Sequence, residues 1–188
     1  MKTLLLAVVL AATVFVLPAY SAEKLLADFN SGVKPNNVGG DFGAWDKDPV
    51  DNTQSCIESF DDVVKHGDKG FSLKLVYDVD SPNPAFNGFW MKLNGSDLSS
   101  YKTINLWVKG DAAQGHTSRF KVELKTPDGV GSYYITGVTD EWQKFTIPLG
   151  SFNLPSLNNC QEIVVVFEDR IADEKKGIIY LDDINVEQ

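Results

Sequence analysis

The chain has 188 residues, 43% of them hydrophobic, with two cysteines and a formal net charge of −9. That length supports one domain with a sizeable core. The acidic balance argues against a nucleic acid or an anionic membrane surface as partner, and suits calcium and neutral ligands.

The first segment, MKTLLLAVVLAATVFVLPAYSA, joins Lys2 to an apolar stretch from Leu4 to Leu17, followed by Pro18 and the small residues Ala19, Ser21 and Ala22. This is the anatomy of a secretory signal peptide over residues 1–21. Its apolar stretch is shorter than the ~20 residues of a spanning helix, and no cysteine stands at the cleavage region to carry a lipid. The expectation is a secreted or periplasmic protein, with residues 22–188 as one domain and no membrane insertion once the signal is removed.

From Ala22 onward, short apolar runs are separated by Gly, Pro, Asn and Asp, the pattern of strands and turns. LLADF comes first. A loop-like stretch with Gly39, Gly40 and Gly43 leads to Trp45 in FGAWDKDP, which reads equally as a ligand platform or a loop anchor. SCIESF and FSLKLVYDV follow, the second with Phe71, Leu73, Leu75 and Tyr77 on one face. GFWMKL sets Phe89, Met91 and Leu93 against Trp90 and Lys92, and SDLSSY reads as one helical turn. TINLWVKG sets Ile104, Leu106 and Val108 against Asn105, Trp107 and Lys109. RFKVELKT sets Phe120, Val122 and Leu124 against Arg119, Lys121, Glu123 and Lys125. In SYYITGV, Tyr134 opposes Tyr133. Trp142 reads as a structural anchor at the start of the next strand, and QKFTIPL, EIVVVFED and IIYLDDINV complete the series. The period is two nearly throughout. The fold class is therefore all-β, a two-sheet antiparallel β-sandwich or jelly roll.

The last run holds a puzzle. Asp182 and Asp183 are adjacent in an apolar strand, and alternation sends one of them toward the side that Ile179, Leu181 or Ile184 seeks to bury. A buried carboxylate needs a partner. The two cysteines, Cys56 and Cys160, admit a single bridge, which export permits; two buried thiols are the other reading. Neither has a His partner of the kind a catalytic thiol needs.

The outward faces carry aromatic and polar residues together: Trp90, Trp107, Lys121, Glu123 and Tyr134 are the candidate ligand-binding residues. A large exposed aromatic marks an interaction site. Sugars need such a mixture, because pyranose C–H faces stack on rings while hydroxyls seek charged and amide side chains. The opposing reading is that a loop covers Trp107 and that Trp90 sits under the Pro82–Pro84 segment. Carboxyl pairs suited to glycosidase chemistry are wanting: EDRIADE reads as a charged hairpin loop and ESFDD leads into a turn. His66 and His116 lie in turn-like settings, and no zinc spacing, nucleophile elbow or phosphate loop is present.

HGDKGFSLKLVYDV, DLSSYKTINLWVKGD, GSYYITGVTDEWQKFTIPLGSF and GIIYLDDINVEQ together resemble, in order, segments of galactose-binding-like jelly rolls. The set is most similar to family 11 carbohydrate-binding modules and the related complex I intermediate-associated proteins. The resemblance implies a non-catalytic module that holds a polysaccharide such as a β-glucan on a concave sheet. It also implies a structural calcium, held at Asp28, at the turn around Gly67 and Asp68, and at Asp182 or Asp183. It implies a partner enzyme or envelope protein encoded separately. A protein-interaction or assembly-factor domain and a small glycoside-acting enzyme are the alternatives, since one fold serves several functions.

Overall fold

The computed structural model describes residues 22–188, so the signal-peptide reading of residues 1–21 lies outside the described residues. Alternating apolar side chains form eleven strands: β1 (Glu23–Ala27), β2 (Phe42–Asp46), β3 (Ser55–Asp61), β4 (Ser72–Asp78), β5 (Phe86–Ser96), β6 (Thr103–Gly110), β7 (Arg119–Thr126), β8 (Gly129–Thr136), β9 (Gln143–Pro148), β10 (Cys160–Glu168) and β11 (Lys176–Glu187). A short 3-10 turn at Leu149–Phe152 is the one helical element among the described residues. The expected helical turn in SDLSSY is a simple turn closed by the Tyr101 N–H on the Leu98 carbonyl at 3.1 Å.

All pairings are antiparallel. The six-stranded sheet runs β3-β4-β11-β6-β9, with β1 also on β11, and the five-stranded sheet runs β2-β5-β10-β7-β8. The expected two-sheet sandwich is therefore the fold. Leu73, Leu75 and Tyr77 of β4, Leu106 and Val108 of β6 and Ile179 and Leu181 of β11 meet Phe89, Met91, Val122, Leu124, Val165 and Phe167 of the other sheet in one core. Tyr77 stacks on Phe167 across the two layers, centroids 4.2 Å apart. Each fully buried aliphatic side chain contributes about 1.5–3 kcal/mol.

A β-bulge resolves the aspartate pair. Ile179 and Leu181 point inward, and so do Ile184 and Val186, a change of parity that regular alternation forbids. The register on β6 shifts between Asp182 and Asn185, and Asp183 takes a left-handed φ of 41°. An extra residue in one strand of a pair is a bulge. It keeps Asp183 out of the core and holds Asp182 on the outer face with Tyr180.

The cysteine bridge is not formed. Cys56 and Cys160 are both buried free thiols. Cys56 pairs with Tyr77, whose ring stacks on Phe167 at one end of β10. Cys160 opens β10 seven residues away, roughly 23 Å at about 3.3 Å per residue. Disulfide geometry needs Cα atoms within ~7 Å.

Candidate functional site

The outer face of the five-stranded sheet carries a cleft of about 480 Å³. Strand register sets its parts. One cross-strand row reads Gly43, Trp90, Val164, Glu123, Ser132; the next reads Trp45, Gly88, Val166, Lys121, Tyr134. Two glycines are required by space. A Cβ at Gly43 would lie 3.3 Å from the indole Cζ2 of Trp90, and one at Gly88 would meet the Val165 carbonyl oxygen at 1.9 Å. Gly43 thus lets the Trp90 ring lie over β2, while Val164 and Val166, buried beneath the side chains around them, form the floor. Trp45 meets Phe86 edge-on, centroids 5.8 Å apart, and the Lys92 ammonium sits 5.4 Å from the Trp90 ring centroid.

The opposite side of the cleft is a net of paired charges. Glu162 lies between Lys92 and Lys125, the latter at 2.8 Å. Lys121 lies between Glu123 and Glu168, each at 3.0 Å. Burial opposes the charge on Glu162, but hydrogen bonds from Lys125 and Lys92 outweigh it and hold the carboxyl below its usual range. Burial likewise opposes the charge on Lys121, and its two glutamates outweigh that and raise its pKa. Three lysines face three glutamates, so this face of an acidic chain is locally neutral. It offers apolar rings on one side and oriented charged donors and acceptors on the other.

Of the expected ligand residues, Trp90, Lys121 and Glu123 line this cleft, and Tyr134 stands beside Lys121 on β8. Trp107 does not join them. It belongs to β6 in the other sheet, where His66 lies flat on its indole. Alternation shows that a residue faces outward, not from which sheet. Trp45 lies in β2, not in a loop, and lines the cleft. Glu162 and Glu168 belong to the site as well. Their signal was the alternation Glu162, Val164, Val166, Glu168 within EIVVVFED, masked by the continuous apolar run.

The four acids expected to hold calcium do not form one shell. Among the described residues no three His, Cys, Asp or Glu side chains gather as a metal site. Asp68 is exposed on its loop, and the Asp28 carboxylate accepts the Asn30 N–H at 3.1 Å within its own turn. Asp182 is 1% exposed; its oxygens accept the His66 and Asp183 N–H groups at 2.9 Å each. Asp183 pairs with the His66 Nδ1 at 2.7 Å.

Comparison with known proteins agrees with this architecture. The model of the family described as "Carbohydrate binding domain 30" matches residues 35–188. A family 11 carbohydrate-binding module from Clostridium thermocellum, solved in complex with a β-1,3-1,4-mixed-linked tetrasaccharide, superposes with a TM-score of 0.64 at 20% identity, over 89% of this chain and 96% of that one. The family 11 module of the cellulosomal cellulase Lic26A-Cel5E of Clostridium thermocellum gives 0.62 at 19% identity, over 89% and 95%. An exo-β-agarase gives 0.59 at 14% identity, over 86% of this chain and 24% of that one. No curated protein matches the chain. The family 11 structures share its fold; the family model that matches its sequence is that of domain 30.

Proposed function

The chain belongs to the carbohydrate binding domain 30 family, and from that premise we propose that it is a secreted or periplasmic, non-catalytic module that holds a neutral polysaccharide on the outer face of its five-stranded sheet. The observation that carries this reading is the pairing of Trp45 and Trp90 with a charge-balanced net of three lysines and three glutamates in one cleft. The rings take the apolar faces of pyranoses, and the net takes their hydroxyls. Local neutrality favours an uncharged glycan, and the tetrasaccharide carried by the family 11 structure makes a β-glucan the first to test. The carboxylates support a binding role over a catalytic one. A glycosidase acid keeps its proton through a raised pKa, whereas Glu162 is held ionised by two lysines. The reading needs no calcium. Attached to a surface polymer, the protein would serve an enzyme or envelope protein encoded separately.

The test is affinity electrophoresis of the protein through gels holding soluble β-glucans, xylans or mannans. Retardation by one of them, lost in Trp90→Ala, is the expected result. A protein that folds and is retarded by none would overturn the reading in favour of a protein-interaction domain.

A further inference from the structure

We propose that two carboxylates, Glu58 of β3 and Asp46 of β2, clip the edge of the five-stranded sheet to the other sheet and so fix the seat of Trp45. They are positioning residues for the glycan site, although neither lines its cleft. This rests on the function proposed above and concerns how one of its rings is held.

Of the two cleft tryptophans, only Trp45 stands on an edge strand. Trp90 belongs to β5, which is hydrogen-bonded on both sides, by β2 and β10. β2 has a backbone partner on one side alone. The Asp41 carbonyl accepts the Lys92 N–H at 2.8 Å, and the Lys47 N–H donates to the Phe86 carbonyl at 3.1 Å. Backbone groups that bond one partner strand recur every second residue. Gly43 and Trp45 therefore turn their backbone toward β5, and Phe42, Ala44 and Asp46 turn theirs toward the open edge. An N–H held away from water needs an acceptor. Backbone pairing supplies none here, because β3, the neighbour on that side, belongs to the other sheet.

Side chains take over the pairing. The Ala44 N–H donates to the Glu58 Oε2 at 2.9 Å, and the Cys56 N–H of β3 donates to the Asp46 Oδ1 at 2.6 Å. Each strand thus gives one N–H and one carboxylate. The two bonds are two residues apart on both strands, like two rungs of an antiparallel ladder built from carboxylates. Trp45 lies between them, so the residues on both sides of it are fastened to the second sheet. The Lys34 ammonium engages the Glu58 oxygen that Ala44 does not use, at 3.7 Å, and reaches Asp41 at 3.5 Å. Asp41 in turn accepts the Phe42 N–H at 2.8 Å. With a rung removed, β2 is free to lean off the sandwich and to carry Trp45 away from its edge-on contact with Phe86.

The test combines calorimetric titration with neutral gluco-, xylo- and manno-oligosaccharides and fluorine NMR of fluorotryptophan-labelled protein, the Trp45 resonance being assigned with Trp45→Phe. Glu58→Ala should shift the Trp45 resonance without ligand and weaken binding at least about fivefold. Glu58→Gln keeps an acceptor for the Ala44 N–H and should restore most of both. In a Trp45→Ala background, Glu58→Ala should cost no further affinity, because residues that act through one another are not additive. Asp46→Ala and Asp46→Asn repeat the test from the other rung, so the outcome does not hang on the folding of one variant. An unmoved resonance, full affinity in the alanine variants, no recovery in Glu58→Gln, or the same loss with and without Trp45 would overturn the clip and leave the parent function standing. Absence of binding by the wild-type protein to every oligosaccharide would overturn the parent function, and the role in binding with it.

Discussion

His66 stacks on Trp107, with ring centroids 3.8 Å apart and planes 19° apart, while its Nδ1 meets the Asp183 carboxylate at 2.7 Å. Trp142 closes edge-on against the same imidazole at 5.9 Å. The ring that alternation marked as an exposed platform is the seat of a loop. The loop carrying His66 is thereby fixed to the β11 bulge.

Trp107→Ala should therefore act on stability and not on binding. A fully buried Trp→Ala change costs about 3–5 kcal/mol; this partly buried ring should cost somewhat less, about 2 kcal/mol or more. Chemical denaturation would show the loss, and glycan retardation in affinity gels should match wild type. Lost retardation in a folded variant would return Trp107 to the ligand site.

Asp182 should give the protein a measurable pH dependence. Burial pushes its carboxyl up to about 7, and the charge of Asp183 adds to that push, while N–H bonds from His66 and Asp183 counter only part of it. The unfolded group titrates near 3.8. Between those values the folded chain holds a proton that the unfolded chain has lost. This contribution to stability is full below about pH 4 and is lost as pH rises toward 7. Asp182→Asn should flatten that slope in denaturation curves taken across the window. In the same experiments a calcium chelator should leave the melting temperature unchanged; a fall would mean that a bound cation stabilises the fold.

Gly43→Val should weaken glycan binding without unfolding the protein. Its Cβ would press on the Trp90 indole at 3.3 Å, closer than ordinary contact. The ring must tilt off β2, and affinity should fall roughly tenfold, about 1.4 kcal/mol. Titration alongside Trp90→Ala checks this: unaltered affinity would show that Trp90 does not need its seat over Gly43.

Reductant should not change the melting temperature, because Cys56 and Cys160 are separate thiols. Burial, with Asp46 and Glu58 nearby, pushes the Cys56 thiol far up, and burial raises Cys160 to about 11. Both should resist alkylation in the folded protein and react fully once it is unfolded, a count that mass spectrometry reads directly.

The period-two alternation made the inner faces legible: Leu73, Leu75, Tyr77, Phe89, Met91, Ile104, Leu106 and Val108 are all in the core. The allocation of strands to sheets was not legible, because it depends on partners far along the chain. β5 and β6 are neighbours in sequence, yet they lie in different sheets, which separates Trp90 from Trp107. The bulge at Asp182 was signalled only by the improbable pair of acids. The ion-pair net escaped notice because Glu162 and Glu168 lie at the ends of an apolar run, and their lysines come from β5 and β7.

Strand β11 lies between β4 and β6 and also receives β1. Until it is in place, the six-stranded sheet exists only as two ribbons, β3-β4 and β6-β9, each with an open edge that invites pairing with other chains. Nearly every contact that joins them is remote in sequence, the topology of a slow folder. Folding should thus proceed in one late step, as β11 enters between the ribbons, and a chain lacking residues 176–187 should aggregate before it closes.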